Sequence, residues 1–190
     1  MNLVNKITVS RIFIVPLFMF SLEMNGIFWH IISMICFFYA TFSDFLDGYI
    51  ARKNDIITDF GKLIDPLADK IFISSAFIYF ASNKNLLVPA WGVSLILSRE
   101  FLITGFRTLA ATKGIVLGAQ KSGKYKTSFQ LIFIFLMILI LILMDFFGNQ
   151  IVKNILVFYF VKIYIYFLSI FTLLSGILYI YKYKRVLINE

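Results

Sequence analysis

The chain has few of the residues that soluble domains place on their surfaces and in their metal sites. Of its 190 residues only 15% are charged, one is a cysteine and one is a histidine, whereas 61% are hydrophobic. The mean hydropathy is +0.89. Soluble domains carry about 25% charged and about 45–50% apolar residues, so the scarcity of charge excludes that class and indicates an integral membrane protein. The single cysteine, Cys36, excludes an internal disulfide and a cysteine-ligated metal site.

The positive charge of the chain is distributed as membrane topology requires. The formal net charge is +8, but the basic residues flank apolar runs. Orientation and contact with anionic membrane lipids therefore explain them better than a nucleic-acid partner does. Most basic residues lie in loops on one side of the predicted spans, and the loops on the other side carry few beyond Lys84 and Lys153. The positive-inside rule predicts a multi-pass protein of the cell membrane with both termini in the cytoplasm. The basic residues of the predicted cytoplasmic side are Lys6, Arg11, Arg52, Lys53, Lys113, Lys121, Lys124, Lys126, Lys182, Lys184 and Arg185.

The apolar runs predict an all-α integral membrane protein, a bundle of six transmembrane helices. One span needs about 20 predominantly apolar residues, so the length suits a single domain, residues 1–190. Asn25-Gly26 is typical of a turn between the first two spans. The fifth and sixth spans are predicted to be plain apolar helices, apart from Lys162 at a margin. The spans lie near 10–24, 28–50, 61–82, 86–110, 126–146 and 156–181.

Ionisable residues are concentrated at one end of the second, third and fourth spans. Asp44 and Asp47 lie near the end of the second span, and Asp65 and Asp69 near the start of the third. The fourth span carries two arginines and a glutamate towards its end. Spans that alternate in direction bring these polar ends to the same side of the membrane. We therefore expect an active-site cavity that faces the cytoplasm.

Four aspartates and three small residues lie in two segments of the chain. Within each segment they recur at intervals of three or four, so the residues of one segment share one helix face. A carboxylate costs roughly 2.5–3.5 kcal/mol at the centre of a membrane helix, so such a cluster needs compensating positive charge. Oxygen ligands without histidine select hard cations such as Mg²⁺, Mn²⁺ or Ca²⁺. Two such ions suit displacement at phosphorus, and one carboxylate can act as a general base. The pattern is Asp44-x-x-Asp47-Gly48-x-x-Ala51-Arg52, eight residues, then Gly61-x-x-x-Asp65-x-x-x-Asp69.

This pattern resembles the signature of the CDP-alcohol phosphotransferase family, with every fixed position present at the family's spacing. Other segments are similar to the bacterial branch of that family that makes phosphatidylglycerol phosphate. The resemblance extends over nearly the whole chain. The similar segments are 43–52, 61–70, 98–107, 123–127 with Gln130, and 5–11 with Pro16.

The resemblance implies a six-helix, homodimeric enzyme with two divalent cations, Mg²⁺ or Mn²⁺. Its reaction would transfer the phosphatidyl group of CDP-diacylglycerol to glycerol 3-phosphate, giving phosphatidylglycerol phosphate and CMP. Asp44, Asp47, Asp65 and Asp69 would supply the metal ligands. Asp69 would also deprotonate the acceptor alcohol.

The resemblance further assigns residues to the two substrates. Arg99 and Arg107 lie eight residues apart near one helix face, and clustered cations of this kind bind phosphate well. Flanking charge is the alternative interpretation for Lys124 and Lys126. The residues around the nucleotide and its diphosphate would be Gly48, Ala51, Arg52 and Gly61. The residues that hold glycerol 3-phosphate would be Arg99, Arg107, Lys124 and Lys126.

The residues leave other functions open. The same chemistry is compatible with phosphatidylglycerol (giving cardiolipin), inositol phosphate or serine as the acceptor, although serine has no phosphate for the cations to bind. A polyprenyl-diphosphate transferase also uses aspartate-rich helices and Mg²⁺, but usually needs more spans. A divalent-cation carrier should hold its acidic residues near the bilayer midplane, whereas these aspartates lie at the predicted cytoplasmic ends.

Four other polar residues receive no site role. His30, the only histidine, lies near the outer end of the second span, far from the aspartates. Asp55 and Asp59 are predicted to be solvated loop residues. Glu100, next to Arg99, is expected to point elsewhere on its helix and to make a different contact.

Overall fold

The computed structural model describes residues 3–54, 59–112, 121–148 and 155–183, and this part of the chain is helical apart from short connections. Its helices have 21 to 29 residues. At about 1.5 Å per residue each is long enough for a hydrocarbon core of about 30 Å. The helices are α1 (Leu3–Glu23), α2 (Ile27–Asn54), α3 (Asp59–Ser82), α4 (Ala90–Thr112), α5 (Lys121–Phe147) and α6 (Ile155–Tyr183).

Two helices of the described part are long and apolar enough throughout to cross a membrane. These segments are Tyr125–Phe147 in α5 and Val157–Tyr183 in α6. Among the described residues, shorter apolar segments lie in α2 (Ile27–Ser43) and in α3 (Lys70–Ser82). The all-helical class predicted from the sequence is confirmed for these residues.

The helices extend further at their polar ends than the predicted spans do. α2 continues to Asn54, so Ala51 and Arg52 are helical rather than part of a loop. α3 begins at Asp59, so the prediction that Asp59 lies in a loop is wrong, while Asp55 lies outside the described residues. Hydropathy bounds a span, whereas a helix continues for as long as its backbone hydrogen bonds are made.

The chain divides into two compact units, Met1–Phe80 with Ile134–Asn154 and Ala81–Phe133 with Ile155–Glu190. In the first unit α1 packs along α2. The turn between them contains Gly26 with a φ of 113°, a conformation that glycine adopts without a steric penalty. The turn predicted at this position is confirmed.

Aromatic rings connect the first three helices within the first unit. The ring centroids of Phe18 in α1 and Phe72 in α3 lie 4.8 Å apart, and Phe37 in α2 lies 6.4 Å from Phe72. The hydroxyl of Tyr79 in α3 donates a hydrogen bond to the carbonyl of Leu22 in α1. These contacts fix the face of α3 that carries Phe72 against both preceding helices.

In the second unit α4 packs against α6. The carbonyl oxygen of Gly92 in α4 lies 3.2 Å from the hydroxyl oxygen of Ser169 in α6. Further along the same pair of helices, Ile103 and Ala110 form a buried cluster with Tyr179. We call this contact surface between α4 and α6 the α4–α6 seam, and it carries most of the polar side chains described next.

Candidate active site

The aspartates lie on two helices whose backbones the structure describes. Asp44 and Asp47 belong to α2, and Asp65 and Asp69 belong to α3. Their helical spacing therefore places each pair on one helix face. The side chains of residues 44–66, 69 and 124 lie outside the described part. Besides the aspartates, the predicted site residues in that group are Gly48, Ala51, Arg52, Gly61 and Lys124.

The faces that carry the aspartates continue faces that are buried further along the same helices. On α2, Phe37 lies seven residues before Asp44 and is 4% exposed. On α3, Phe72 and Ala76 lie three and seven residues after Asp69 and are 3% and 0% exposed. Residues three, four or seven apart share a helix face. Asp44 therefore shares the helical register of Phe37, and Asp69 that of Phe72 and Ala76.

Arg99 is buried in the α4–α6 seam. Its Nη2 donates a hydrogen bond to Ser175 Oγ at 3.1 Å, and its Nη1 lies 3.8 Å from a carboxylate oxygen of Glu100. Gly176 makes room for this side chain, because a Cβ at that position would lie 2.9 Å from Cγ of Arg99. A guanidinium has five donors in a fixed geometry, so several remain for an anionic ligand.

Glu100 connects α4 to α5 within the second unit. Its carboxylate forms an ion pair with the ammonium of Lys126 and accepts a hydrogen bond from Gln130 Nε2 at 3.1 Å. Lys126 and Gln130 are 5% and 1% exposed. A buried ammonium needs an opposite charge and hydrogen bonds, and Glu100 supplies both. Glu100 was expected to point elsewhere, but it lies between Arg99 and Lys126, two of the cations predicted to bind the acceptor.

The four cations predicted to bind the acceptor differ in their surroundings. Arg99 and Lys126 are buried and are linked through Glu100. Arg107, eight residues after Arg99 on α4, is exposed. The side chain of Lys124 lies outside the described residues. The described part thus brings two of these cations together and places a third about two turns further along the same helix.

The last helix contributes polar side chains that the hydropathy pattern did not indicate. Ser169, Thr172 and Ser175 recur every three residues of α6, and each is at least 96% buried. Ser169 contacts the carbonyl of Gly92, and Ser175 accepts the hydrogen bond from Arg99. The predicted apolar character of α6 is confirmed, but the expectation that it has no polar feature apart from Lys162 is wrong. The signal was present as hydroxyls at intervals of three, but a hydropathy average over about 20 residues hides single hydroxyls.

A second buried polar contact lies in the first unit, near the end of α2 opposite the aspartates. Nδ1 of His30 is 2.5 Å from Oδ2 of Asp145, which lies near the end of α5. His30 is 5% exposed. The contact joins the start of α2 to the end of α5 and gives this histidine a structural partner.

The donor set of the aspartate pattern suits a hard divalent cation. The four aspartates supply only carboxylate oxygens, which Mg²⁺ and Mn²⁺ prefer. Among the side chains that the structure describes, no group of three or more histidine, cysteine, aspartate or glutamate residues is arranged to hold a metal. The aspartate side chains lie outside that part, so the chemistry of the donor set is what indicates a metal at these turns.

Known proteins resemble this chain over most of its length. The profile of the CDP-alcohol phosphatidyltransferase family matches residues 1–175. A protein of Bacillus subtilis (strain 168) named CDP-diacylglycerol–glycerol-3-phosphate 3-phosphatidyltransferase is 41% identical over 144 residues, which cover 69% of this chain and 73% of that protein. A Rickettsia felis protein of the same name is 35% identical over 138 residues, covering 73% of this chain and 75% of that protein.

These matches confirm the resemblance found in the sequence. The profile extends over both units and ends inside α6. Both relatives align with more than two thirds of the chain. The chain therefore belongs to the CDP-alcohol phosphatidyltransferase family, whose members are embedded in membranes and generally depend on a divalent cation.

Proposed function

We propose that the protein transfers the phosphatidyl group of CDP-diacylglycerol to glycerol 3-phosphate and releases phosphatidylglycerol phosphate and CMP. The observation that carries this proposal is that relatives 41% and 35% identical to the chain are named for this transfer. The buried cations Arg99 and Lys126 add support, because glycerol 3-phosphate is an anion and serine, for example, brings no phosphate. The enzyme would act in phospholipid biosynthesis.

The proposed architecture is a single domain, residues 1–190, with six transmembrane helices and an active-site cavity open to the cytoplasm. All six helices of the described part have at least 21 residues, which suffices for a span. The basic residues at the N-terminal end, in 111–126 and in the tail support cytoplasmic termini in the cell membrane. A homodimer is the assembly that family membership suggests.

The proposed metal ligands are the four aspartates, holding two divalent cations, Mg²⁺ or Mn²⁺. The ring centroids of Phe37 and Phe72 lie 6.4 Å apart, and Asp44 and Asp65 each lie seven residues, or about two turns, from that contact. Only residues 55–58 separate α2 from α3, and a short connection favours antiparallel neighbours whose aspartates lie side by side. Bound cations would neutralise the diphosphate of the lipid substrate. The four ligands are Asp44, Asp47, Asp65 and Asp69.

Asp69 is proposed as the general base. Its carboxylate would take the proton from the primary hydroxyl of glycerol 3-phosphate, whose oxygen then forms a bond to the phosphorus that carries the diacylglycerol. The bond from this phosphorus to the bridging diphosphate oxygen breaks, and its electron pair leaves with CMP. Small residues near the diphosphate would let it approach the helix backbone closely. The residues proposed to surround the nucleotide are Gly48, Ala51, Arg52 and Gly61.

The phosphate of the acceptor is proposed to bind at the cations of α4 and α5. In the described cluster, Arg99 and Lys126 share one carboxylate, that of Glu100. Two positive charges and one negative charge leave an excess of one positive charge in a buried place, which favours an anion over a neutral alcohol. The full proposed set is Arg99, Arg107, Lys124 and Lys126.

Release of CMP by the purified protein tests the proposal. With CDP-diacylglycerol and Mg²⁺ or Mn²⁺, we expect turnover with glycerol 3-phosphate and none with serine, inositol phosphate or phosphatidylglycerol. EDTA should abolish turnover and added Mg²⁺ or Mn²⁺ should restore it. Asp69→Asn should lower kcat about 10²–10⁴-fold, the usual contribution of a general base. Asp145→Asn makes the same change at the aspartate that contacts His30 and should retain kcat.

The outcomes separate the alternatives. Turnover with serine alone would contradict the acceptor and leave the phosphatidyl transfer intact. Divalent-cation uptake into vesicles without CMP release from any acceptor would instead support a carrier. Full turnover by Asp69→Asn would remove the base from the mechanism.

A further inference from the structure

The α4–α6 seam contains buried polar atoms that the described part of the chain leaves without a hydrogen-bond partner. They are Nε of Arg99, Oγ1 of Thr172 and the hydroxyl of Tyr179. Tyr179 is 5% exposed and Arg99 is 7% exposed. Buried hydroxyls and N–H groups are almost always hydrogen-bonded in native proteins. Three such atoms along one pair of helices therefore indicate a missing polar partner.

Two of these three atoms, Nε of Arg99 and the hydroxyl of Tyr179, belong to neighbouring turns of the seam. Ser175 accepts a hydrogen bond from Arg99, and a Cβ at Gly176 would lie 3.1 Å from Nε of Arg99. Tyr179 follows on the same face of α6, four residues after Ser175 and three after Gly176. Tyr179 therefore lies about one helical turn along α6 from the serine that Arg99 contacts. Tyr179 thus belongs to the stretch of the seam that contacts Arg99, one of the cations proposed to bind the acceptor.

The ring of Tyr179 is held in place by apolar neighbours. It packs in a buried cluster with Ile103 and Ala110, and its ring centroid lies 6.1 Å from that of Phe106 in an edge-on arrangement. The centroid of the Tyr183 ring lies 4.9 Å from that of Tyr179. A ring packed in this way holds its hydroxyl in one place, so the partner must come to it.

We infer that Tyr179 is a specificity-determining residue whose hydroxyl, together with Nε of Arg99, donates a hydrogen bond to the phosphate of the acceptor. The inference rests on the proposed function, and adds a residue that neither the sequence pattern nor the family resemblance assigned. Two donors beside positive charge require an acceptor-rich anion, and a phosphate monoester offers three oxygens on one phosphorus. An acceptor without phosphate would leave both donors unpaired, and sites of this kind reject such analogues strongly.

A phenylalanine at this position tests the inference. Tyr179→Phe removes one oxygen atom and keeps the ring in its cluster. We expect the KM for glycerol 3-phosphate to rise about tenfold, the loss typical of one hydrogen bond to a charged group. The kcat and the KM for CDP-diacylglycerol should change by less than about twofold, since uniform binding energy affects KM alone.

Thermal unfolding in detergent separates a ligand contact from a structural one. Without ligand, Tyr179→Phe should unfold at the wild-type temperature or above it, because the lost hydroxyl had no partner in the described part. The rise in Tm caused by glycerol 3-phosphate, and that caused by inorganic phosphate, should be smaller than in the wild type.

Tyr164→Phe is the matched control. The hydroxyl of Tyr164, also on α6, donates to the carbonyl of Phe129 at 3.0 Å. Its removal leaves a carbonyl unpaired, so Tm should fall by about 2–4 °C while both KM values and the phosphate effect on Tm stay at wild-type levels.

The results that overturn the inference differ from those that overturn the proposed function. A Tyr179→Phe variant with a lower Tm but an unchanged KM would make the hydroxyl structural. Unchanged KM, Tm and phosphate effect would mean that water satisfies it. A wild-type protein that does not use glycerol 3-phosphate would contradict the proposed function. The effect of inorganic phosphate on Tm would then still decide for or against the phosphate contact.

Discussion

Glu100 places a negative charge beside two buried cations of the second unit, Arg99 and Lys126. It pairs with buried Lys126, accepts a hydrogen bond from Gln130 and lies 3.8 Å from Arg99. Helical spacing alone could not indicate this role, because adjacent residues on a helix point about 100° apart. Long side chains such as those of Arg99 and Glu100 nevertheless reach each other, and the partner on α5 is 26 residues away in the sequence.

Loss of this carboxylate has a predictable effect on stability. Glu100→Gln removes the carboxylate that pairs with buried Lys126, and removal of one partner of a buried pair costs about 3–5 kcal/mol. We expect Tm to fall by several degrees without ligand. Glycerol 3-phosphate should raise Tm more than it does in the wild type, because its phosphate no longer competes with the Glu100 carboxylate for the positive charge of Arg99 and Lys126.

Glu23→Gln serves as the comparison for this variant, since Glu23 is exposed at the end of α1. That change should leave Tm within about 1 °C, as surface substitutions usually do. Thermal unfolding of both variants with and without glycerol 3-phosphate is the measurement. An unchanged Tm in Glu100→Gln would show that Lys126 does not depend on this pair.

At the scale of elements, the contact between α4 and α6 depends on glycines at two positions. A Cβ at Gly92 would lie 3.0 Å from Oγ of Ser169, and one at Gly176 would lie 2.9 Å from Cγ of Arg99. Small residues allow membrane helices to approach closely. Here the second glycine also leaves the space that an arginine side chain occupies.

Gly176→Ala should therefore displace Arg99. A methyl group at this distance forces the arginine side chain to move, and its hydrogen bond to Ser175 is then strained or lost. We expect the KM for glycerol 3-phosphate to rise about tenfold or more, since a hydrogen bond to a charged group contributes about 1.5–3 kcal/mol. Steady-state CMP release at varied acceptor concentration measures the effect.

Gly105→Ala is the control for this change, because nothing lies within 4 Å of a Cβ at Gly105 in α4. Alanine stabilises a helix interior by about 1 kcal/mol relative to glycine, so Tm should stay level or rise and KM should not change. Equal effects of the two alanines on KM would contradict a specific displacement of Arg99.

At the scale of the whole molecule, the distribution of basic residues makes a prediction about orientation. Cys36 is the sole cysteine of the chain and is buried, so Cys36→Ala provides a background for single-cysteine labelling. Lys84, between α3 and α4, and Lys182, in the last turn of α6, are both exposed. The positive-inside rule puts them on opposite sides of the membrane.

A membrane-impermeant maleimide tests this orientation in intact cells. Lys84→Cys should be labelled from outside, whereas Lys182→Cys should be labelled only after the membrane is permeabilised. Labelling of both from outside, or of Lys182→Cys alone, would contradict cytoplasmic termini and an active site that faces the cytoplasm.

Much of the fold was predictable because it depends on local properties. The predicted spans agree with the six helices of the described part to within a few residues at their apolar ends, and the turn at Gly26 lies where Asn25-Gly26 indicated it. The polar ends were predicted less well, since α2 continues past Arg52 and α3 begins at Asp59. Charge ends an apolar run but does not end a helix.

The candidate site was likewise predictable only where it depends on local spacing. The spacing of the aspartates was sufficient to place Asp44 and Asp47 together on α2, and Asp65 and Asp69 together on α3. That spacing also supported the family to which the chain belongs. The polar residues of α6 were missed, because a hydroxyl acquires a role only through the side chain it meets.

The sequence by itself determined the membrane class, the helices and the aspartate pattern, because hydropathy and helical register depend on neighbours within a few turns. The tertiary structure decided which distant residues meet. Arg99 and Ser175 are 76 residues apart, and His30 and Asp145 are 115 apart. Such contacts form only when packing brings separate helices together, and no local pattern records which helix will supply the partner.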